Sequence, residues 1–290
     1  MIWQTTRFSI DLYRPYVMGI VNVTPDSFSD GGKYFKSCVD SSEVLKHCEQ
    51  LLKNGADILD IGGESSRPGA LPLPLDEELA RVLPVVRYAV TLGVPISVDT
   101  YKPEVMQAVL DLGADIINDI WAFRQPGALD VVAQHSTCGL CLMHMHREPQ
   151  TMQAQPMQGD IVGQVRDFLI TQAKTLEVLG IAKSRIMLDP GIGFGKTVEQ
   201  NFSLLARQRE LLVGVYPLLV GWSRKSSLAS VTGALQAVGA KLNGADRLVP
   251  SVAAALMAVE RGACVVRVHD VRETVQALKV WAAVMHGSGL

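Results

Sequence analysis

Eight short apolar runs alternate along the chain with segments in which apolar residues recur every three or four positions. Continuous runs of Val, Ile and Leu are typical of strands that are buried on both faces, and such strands form parallel sheets. The alternation therefore predicts an α/β protein, a (β/α)8 barrel of the TIM type. The predicted strands are Val17–Val23, Asp57–Gly63, Pro95–Thr100, Asp115–Ile120, Gly139–Met145, Arg185–Pro190, Pro217–Ser223 and Cys264–Asp270.

The segments between these runs predict helices. No linker or shift in composition divides the chain, so residues 1–290 are expected to form a single domain. Long loops follow the first and second strands, at Thr24–Lys33 and Glu64–Pro74, and a third covers Met145–Gly159. Such βα loops typically act as mobile lids or substrate clamps. The predicted helices are Ser41–Asn54, Asp76–Leu92, Pro103–Leu112, Pro126–Gln134, Asp160–Leu179, Val198–Gln208, Asp246–Arg261 and Val271–His286.

Composition narrows the class of protein. Hydrophobic residues make up 48% of the 290 residues, enough for a large core, and the formal net charge of −2 argues against a nucleic-acid partner. No apolar run reaches the roughly 18 residues that a membrane span needs. The N-terminus lacks the apolar segment of a secretory signal, and five scattered cysteines do not suggest a disulfide framework. We therefore expect a cytoplasmic protein without a membrane partner.

Polar residues stand at the carboxyl ends of most predicted strands, which is the usual position of an active site in this type of barrel. A lone aspartate there, such as Asp99, could instead cap the following helix. Several polar side chains that point into one barrel need partners, because a buried unpaired ion costs several kcal/mol. A ligand with hydrogen-bond donors is therefore implied. The residues are Asn22, Asp60, Asp99, Asn118, Asp189, Arg267 and His269.

Three further motifs have competing interpretations. Cys138 and Cys141 form a C-x-x-C, but a strand would direct Cys141 and His144 to opposite faces, which disfavours a zinc or redox site. Pro190–Thr197 resembles a phosphate-binding loop with proline in place of its first glycine, or a turn that approaches a flat ligand closely. Ser223–Ser226 is a phosphate-binding turn or a solvated one, and its Lys225 could also be a Schiff-base lysine.

Taken in order, these motifs resemble those of the dihydropteroate synthase family over nearly the whole chain. The first two are long and specific. Ser66 stands where many members have threonine, and Ile192 where many have phenylalanine. The matching stretches are Met18–Gly32, Gly55–Gly69, Ser97–Thr100, Ile116–Ile120, Leu142–Met145, Leu188–Gly191, Ser223–Ser226 and Arg267–Asp270.

The resemblance implies a folate-pathway transferase, usually a homodimer, that uses Mg²⁺. It would join 6-hydroxymethyl-7,8-dihydropterin pyrophosphate to 4-aminobenzoate, giving 7,8-dihydropteroate and pyrophosphate. A dissociative path would develop positive charge on the pterin methylene, beside the carboxylate of Asp99. The resemblance also implies that the protein is a target of sulfonamides, which copy 4-aminobenzoate.

The same resemblance assigns roles to individual residues. The catalytic residues would be Asp99, Lys225 and Arg67. The pterin would be bound by Asp99, Asn118, Met143, Asp189, Lys225 and Arg267. Pyrophosphate would be bound by Asn22, Arg67, Arg267 and His269, with Asn22 also holding Mg²⁺. The 4-aminobenzoate would be bound by Phe28, Ser66, Pro68, Phe194 and Ser226.

Two other functions compete with this interpretation. A pterin-binding methyltransferase would share the barrel and the Asp/Asn contacts with the pterin, but would not need Arg67 or the Ser223–Ser226 turn. A non-catalytic paralogue would bind a pterin or a partner, and loss of Asp99, Arg67 or Lys225 would mark it. All three residues are present.

Overall fold

The computed structural model describes residues 1–24, 41–66, 69–148, 151–152, 154–233 and 247–286. Eight parallel strands form one sheet in the order β8-β7-β6-β5-β4-β3-β10-β9. Leu188 and Leu218 bridge the two ends of that sheet, and the Leu188 amide donates to the Pro217 carbonyl at 2.9 Å. The predicted barrel is confirmed. The strands are β1 (Ile2–Gln4), β2 (Ser9–Asp11), β3 (Tyr16–Asn22), β4 (Ile58–Gly62), β5 (Ile96–Asp99), β6 (Ile116–Asp119), β7 (Gly139–Met143), β8 (Ile186–Asp189), β9 (Leu219–Val220) and β10 (Val265–Val268).

Helices follow the barrel strands, and all eight predicted helices are present within a few residues of their expected bounds. One further helix, α7, was not predicted, because its six residues are too few to show a periodic pattern. Among the helices of the described ranges, none is both long and apolar enough to cross a membrane. The helices are α1 (Ser41–Lys53), α2 (Leu75–Ala89), α3 (Pro103–Asp111), α4 (Ala128–Gln134), α5 (Ile161–Val178), α6 (Val198–Ala206), α7 (Ser226–Val231), α8 (Leu248–Glu260) and α9 (Val271–His286).

Local sequence signals fix where several helices begin and end. Thr197 and Gln200 form a reciprocal capping box at the start of α6, and Asp160 accepts from the Val162 amide at the start of α5. Pro103 occupies the first turn of α3, where a missing amide proton costs nothing. Gly55 has a φ of +98° just after α1, a conformation that favours glycine. These ends position the loops on either side of the barrel.

The barrel interior is layered, because side chains alternate between the two faces of a strand. Its lower layer is apolar, and the residues two positions further along β4, β6, β8 and β10 are Asp60, Asn118, Asp189 and Arg267. The polar layer therefore lies directly above an apolar one, at the carboxyl edge of the sheet. The apolar layer contains Met18, Ile58, Ile116, Cys141, Met187, Leu219 and Val265.

A short antiparallel hairpin, formed by β1 and β2, packs against this apolar layer. Trp3 is completely buried and its indole NH donates to the Arg185 carbonyl at 3.0 Å. Ile10 and Leu12 join the same cluster. The hairpin excludes water from the end of the barrel opposite the polar edge.

Candidate active site

The polar strand ends predicted from the sequence lie side by side at the carboxyl edge of the barrel. Asn22 is in register with Gly62, Gly62 with Asp99, and Asp99 with Asn118. Further round the barrel, Met143 is in register with Asp189. The parallel register thus brings Asn22, Asp99 and Asn118 to one level, with Met143 and Asp189 two residues further along at the same edge.

The guanidinium of Arg267 joins two of these carboxylates. Its Nε donates to Asp60 at 2.5 Å, and its Nη2 donates to Asp99 at 2.7 Å. The amide of Asn118 donates to the same Asp60 oxygen at 3.3 Å. Asp60 is completely buried, whereas Asp99 keeps 15% of its side-chain exposure. Arg267 thereby holds the more accessible carboxylate at the barrel mouth.

The alternative in which Asp99 merely caps the next helix is wrong. Lys102 is the N-cap residue of α3, and no side chain caps that terminus. The Asp99 carboxylate instead accepts from Arg267 and lines a cavity of about 240 Å³. The Asp99 carboxylate is therefore positioned at the cavity, where it can act on a bound ligand.

Burial sets the electrostatics of the edge. It raises the pKa of Asp99 to about 7, against the opposing effect of the Arg267 guanidinium. Burial likewise raises the pKa of Asp189 to about 6, although the Gly191 amide and Lys225 oppose the shift. Burial and the nearby Arg267 lower the pKa of Lys225 to about 8. Groups with such shifted values are typical of functional sites.

Asp189 and Met143 face a loop that returns from β8. One oxygen of Asp189 accepts from the Gly191 amide at 2.7 Å. Met143 is buried and belongs, with Phe194, to an apolar cluster at the barrel mouth. The structure therefore brings three of the predicted pterin and aminobenzoate residues to one side of the mouth.

Lys225 and Ser226 begin the unpredicted helix α7. The ammonium of Lys225 lies 4.4 Å from the centre of the Phe194 ring, within cation–π range. Ser226 is exposed at the first position of α7. Next to them, Arg224 pairs with Asp270 at 2.6 Å. Arg224 is thus committed to the protein, and Lys225 is the cation of this turn that stands beside Phe194.

His269 and Ser66 occupy other parts of the edge. The Ser223 hydroxyl accepts from the His269 amide at 3.1 Å and lies 3.0 Å from Nδ1 of the same ring. When the Ser223 hydroxyl donates a hydrogen bond to Nδ1, the neutral imidazole carries its proton on Nε2. This tautomer can donate a hydrogen bond from Nε2 to a phosphate. Ser66 lines the cavity that also contains Asp99.

Three predicted site residues, Phe28, Arg67 and Pro68, lie outside the described residues. Most of Thr24–Lys33 and parts of Glu64–Pro74 and Met145–Gly159 lie outside as well. The remaining predicted residues are at the barrel mouth or the strand ends that form it. Asn22 ends β3 and is half-buried.

The competing motif interpretations fail on geometry. Cys138 packs in the core between sheet and helices, whereas Cys141 lies in the barrel interior. Among the described residues, no group of three or more His, Cys, Asp or Glu side chains could hold a metal ion. Lys196 does not face an anion site, because its ammonium is buried and donates to backbone carbonyls of its own loop. Neither a zinc or redox centre nor a phosphate-binding loop is formed.

Sequence reasoning gave no role to Asp60, although it named the residue as a polar strand end. The structure makes it the partner of both Arg267 and Asn118. The sequence could have indicated this position, because Asp60 follows the interior residue Ile58 by two positions.

A cluster of charged residues near the second loop was also not predicted. Lys102 forms salt bridges with Glu64 and, at 2.5 Å, with Glu78.

The chain matches the model of a family described as pterin binding enzyme over residues 18–269. A dihydropteroate synthase of Neisseria meningitidis serogroup B is 49% identical over 286 residues, which cover 97% of each protein. The Burkholderia cenocepacia dihydropteroate synthase, complexed with 7,8-dihydropteroate, superposes with a TM-score of 0.87 at 50% identity, covering 99% of this chain and 97% of that one. The Xanthomonas albilineans dihydropteroate synthase with 4-aminobenzoic acid gives a TM-score of 0.85 at 46% identity, covering 96% and 95%. The similarity therefore includes the barrel and its polar edge together.

Proposed function

Because this chain belongs to the dihydropteroate synthase family, we propose that it is a transferase that joins 6-hydroxymethyl-7,8-dihydropterin pyrophosphate to 4-aminobenzoate. The products are 7,8-dihydropteroate and pyrophosphate. The observation that carries the proposal is the bridge from Arg267 to Asp60 and Asp99 at the mouth of a pterin-binding barrel. It is supported by the two related enzymes crystallised with 7,8-dihydropteroate and with 4-aminobenzoic acid.

The pterin is bound by groups that match its flat, amide-like edge. Asp189 accepts from the amino and ring NH groups, and its carboxylate is already oriented by the Gly191 amide. Asn118 supplies an amide acceptor, because its NH₂ group is engaged by Asp60. Lys225 donates to ring acceptors, and Met143 packs against the ring face. The carboxylate of Asp189 and the amide of Asn118 each keep further capacity to accept hydrogen bonds, and a ligand with matching donors is selected by it.

The pyrophosphate leaves from the side of the mouth where β3 and β10 meet. Arg267, His269 and Asn22 end or follow these two paired strands. Arg67 completes this set in the proposal. Cations and amide donors are needed here because the leaving group accumulates negative charge.

A magnesium ion fits this donor set only through a single protein oxygen, the side-chain amide oxygen of Asn22. That is compatible with Mg²⁺, which retains several waters and is commonly held by one or two protein oxygens together with substrate phosphates. When bound, the ion would neutralise part of the pyrophosphate charge.

The chemistry is dissociative. The bond between the pterin methylene carbon and the bridging pyrophosphate oxygen breaks, and its electron pair leaves with the oxygen. The carboxylate of Asp99 stabilises the resulting cation because it is held in place by Arg267 before the reaction begins. The aniline nitrogen then forms the carbon–nitrogen bond with its lone pair and loses one proton to solvent, which leaves a neutral secondary amine.

The 4-aminobenzoate lies between the two sides of the mouth. Ser66 lines the cavity beside Asp99, while Phe194 and Ser226 stand on the side of Lys225. Phe28 and Pro68 complete the binding slot in the proposal. This arrangement brings the amine towards the methylene carbon and leaves the carboxylate of the substrate near Ser226.

The chain also forms a homodimer in this proposal. Apolar side chains are exposed on three successive helices, which contact one another along the chain. These side chains are Val231 on α7, Val249 and Met257 on α8, and Val280 and Val284 on α9. Light scattering during gel filtration measures the mass directly, and a mass equal to that of one chain would contradict the dimer.

The cysteines that the structure describes are free thiols, which is the state expected in the reducing cytoplasm.

The test of the function is incubation of the purified protein with both substrates, followed by separate assays of pyrophosphate and 7,8-dihydropteroate. We expect equal amounts of both products, and no 7,8-dihydropteroate when 4-aminobenzoate is omitted. A pterin-binding methyltransferase would release no pyrophosphate. A non-catalytic paralogue would bind the pterin in calorimetry but form neither product, and either result would contradict the proposal.

A further inference from the structure

Lys196 is a buried lysine that the proposed chemistry does not use. Its side chain is 2% exposed, and it ends the glycine-rich segment that follows β8. The ammonium donates to the carbonyl of Gly191 at 2.8 Å and to that of Phe194 at 3.1 Å, and it lies 3.0 Å from Nδ1 of His144. The His144 carbonyl is more distant, at 3.4 Å. An ammonium has three donors, so the three nearer acceptors use all of them.

These contacts bend the lysine back onto its own loop. Two of its acceptors, the carbonyls of Gly191 and Phe194, lie within five residues of it. The third, the His144 ring, has a pKa lowered to about 2 by burial and by the Lys196 charge, so it is neutral and can accept. A buried ammonium is costly unless such acceptors surround it. Burial lowers the pKa of Lys196 to about 7, against the opposing effect of Asp189, so the loop closes around a single positive charge at pH values below about 7.

The same loop contacts two of the charged residues assigned to the pterin, Asp189 and Lys225. The Gly191 amide donates to Asp189 at 2.7 Å, and the Phe194 ring lies 4.4 Å from the Lys225 ammonium. Gly191 is pressed against the His144 carbonyl so closely that an added Cβ would lie 1.9 Å from its oxygen. A Cβ at Gly193 would lie 3.3 Å from Cδ of Lys225. Small movements of this loop would therefore displace Asp189 or Lys225.

We propose that Lys196 is a positioning residue, whose ammonium holds the Gly191–Phe194 loop so that Asp189 and Lys225 meet the pterin ring correctly. The proposal rests on the pterin site of the proposed function. Lys196 belongs to the motif that resembles a phosphate-binding loop, but its role is different. Its N–H groups donate to carbonyls of the chain itself rather than to a phosphate. Lys196 contacts no reacting atom and acts only through the loop.

The test compares Lys196→Ala with Lys174→Ala, which removes an exposed lysine of α5. Calorimetry measures the binding of 6-hydroxymethyl-7,8-dihydropterin, which lacks the pyrophosphate and needs no catalysis. We expect Lys196→Ala to weaken binding about tenfold or more, because misplaced hydrogen bonds to charged groups lose that much. Hydrogen exchange should become faster at the amides of Gly191 and Gly193, which bond to Asp189 and Asn201. Lys174→Ala should change neither quantity.

Chemical rescue separates the charge from general packing. Ammonium or methylammonium chloride should partly restore both binding and amide protection in Lys196→Ala, because the small cation can occupy the cage of carbonyls. Tetramethylammonium chloride at the same ionic strength has no donor and should restore neither. Equal effects of the two salts, or no loss of binding, would overturn the proposal.

A second variant guards against a folding defect. Lys196→Met keeps the length of the apolar stem without the charge, and it should show the same two losses without rescue. If neither variant folds, Lys196 serves folding itself and the proposal is wrong. Failure of the unaltered protein to bind the pterin would count against the proposed function, whereas the exchange rates at Gly191 and Gly193 would still decide the role of Lys196.

Discussion

Arg267 donates to Asp99 at 2.7 Å across two intervening strands, because β3 and β4 separate β10 from β5 in the barrel. The contact crosses the interior of the barrel, towards which both side chains point. Nε of the same guanidinium bonds to the completely buried Asp60. One cation therefore pairs with two carboxylates and orients the more exposed one.

We expect Arg267→Met to lower the free energy of unfolding by about 3–5 kcal/mol, since it leaves buried carboxylate without its cation. Urea denaturation measures the loss, and Arg87→Met, on the exposed face of α2, is the control. The double variant Arg267→Met with Asp60→Asn should lose less than the sum of the two single variants. Strict additivity would mean that the two residues do not interact energetically.

The pH dependence of kcat/KM should be bell-shaped. Asp99 acts as an anion, and its pKa of about 7 means that activity rises as the pH increases through that value. Lys225 acts as a cation, and its pKa of about 8 means that activity falls as the pH increases further. Each limb should approach about a tenfold change per pH unit. In Asp99→Asn the acidic limb should move down towards the pKa of Asp189, which is about 6. An unchanged acidic limb in that variant would assign it to another group.

Asp189→Asn should weaken pterin binding much more than it slows the chemical step. The carboxylate accepts from the Gly191 amide and, in the proposal, from the pterin edge. Hydrogen bonds to a charged acceptor contribute about 1.5–3 kcal/mol, which corresponds to about 10–150-fold in affinity. Calorimetry and single-turnover rates at saturating substrate separate the two effects. A slow single turnover with normal affinity would reverse the assignment of Asp189 and Asp99.

The binding of 4-aminobenzoate should depend on pyrophosphate. Ser66 precedes Arg67, the expected pyrophosphate contact, so an anchored anion also fixes one wall of the aminobenzoate slot. Ordering each residue costs about 1–2 kcal/mol, which a small aromatic acid cannot supply alone. Calorimetry of aminobenzoate with and without Mg²⁺-pyrophosphate should reveal the coupling, and it must be reciprocal.

One substitution should abolish this coupling, and removal of Mg²⁺ should weaken it. Arg67→Ala should abolish it without altering pterin binding, whereas Arg87→Ala should leave it intact. Chelation of Mg²⁺ by EDTA should weaken it. Equal affinities for aminobenzoate in the presence and absence of pyrophosphate would rule the mechanism out, and the same coupling would apply to sulfonamides that copy aminobenzoate.

The eight barrel strands and their helices were predictable because each strand is a continuous apolar run between amphipathic segments. The hairpin of β1 and β2 was not, since strands of three residues contain too few positions to show alternation. The helix α7 escaped notice for the same reason. Periodicity identifies an element only when the element contains several periods.

The position of the site was also predictable, but its internal contacts were not. Asp99, Asn118 and Asp189 end apolar strands, and parallel strands bring such residues to one edge. The pair Arg267–Asp60 joins residues 207 positions apart, so it depends on barrel closure rather than on local sequence. The burial of Lys196 likewise depends on the path of its loop. The resemblance of Pro190–Thr197 to a phosphate-binding motif did not predict that path.

The central claim is that the charge of Asp99 stabilises the transition state without serving as the main pterin contact. The most direct measurement is the single-turnover rate of Asp99→Asn, together with its calorimetric affinity for the pterin substrate. Asparagine keeps the shape and removes the charge, so the rate should fall about 10²–10³-fold. The affinity should change little, and Asp130→Asn, an exposed residue of α4, should leave both unchanged. A nearly normal single-turnover rate in Asp99→Asn would contradict the account.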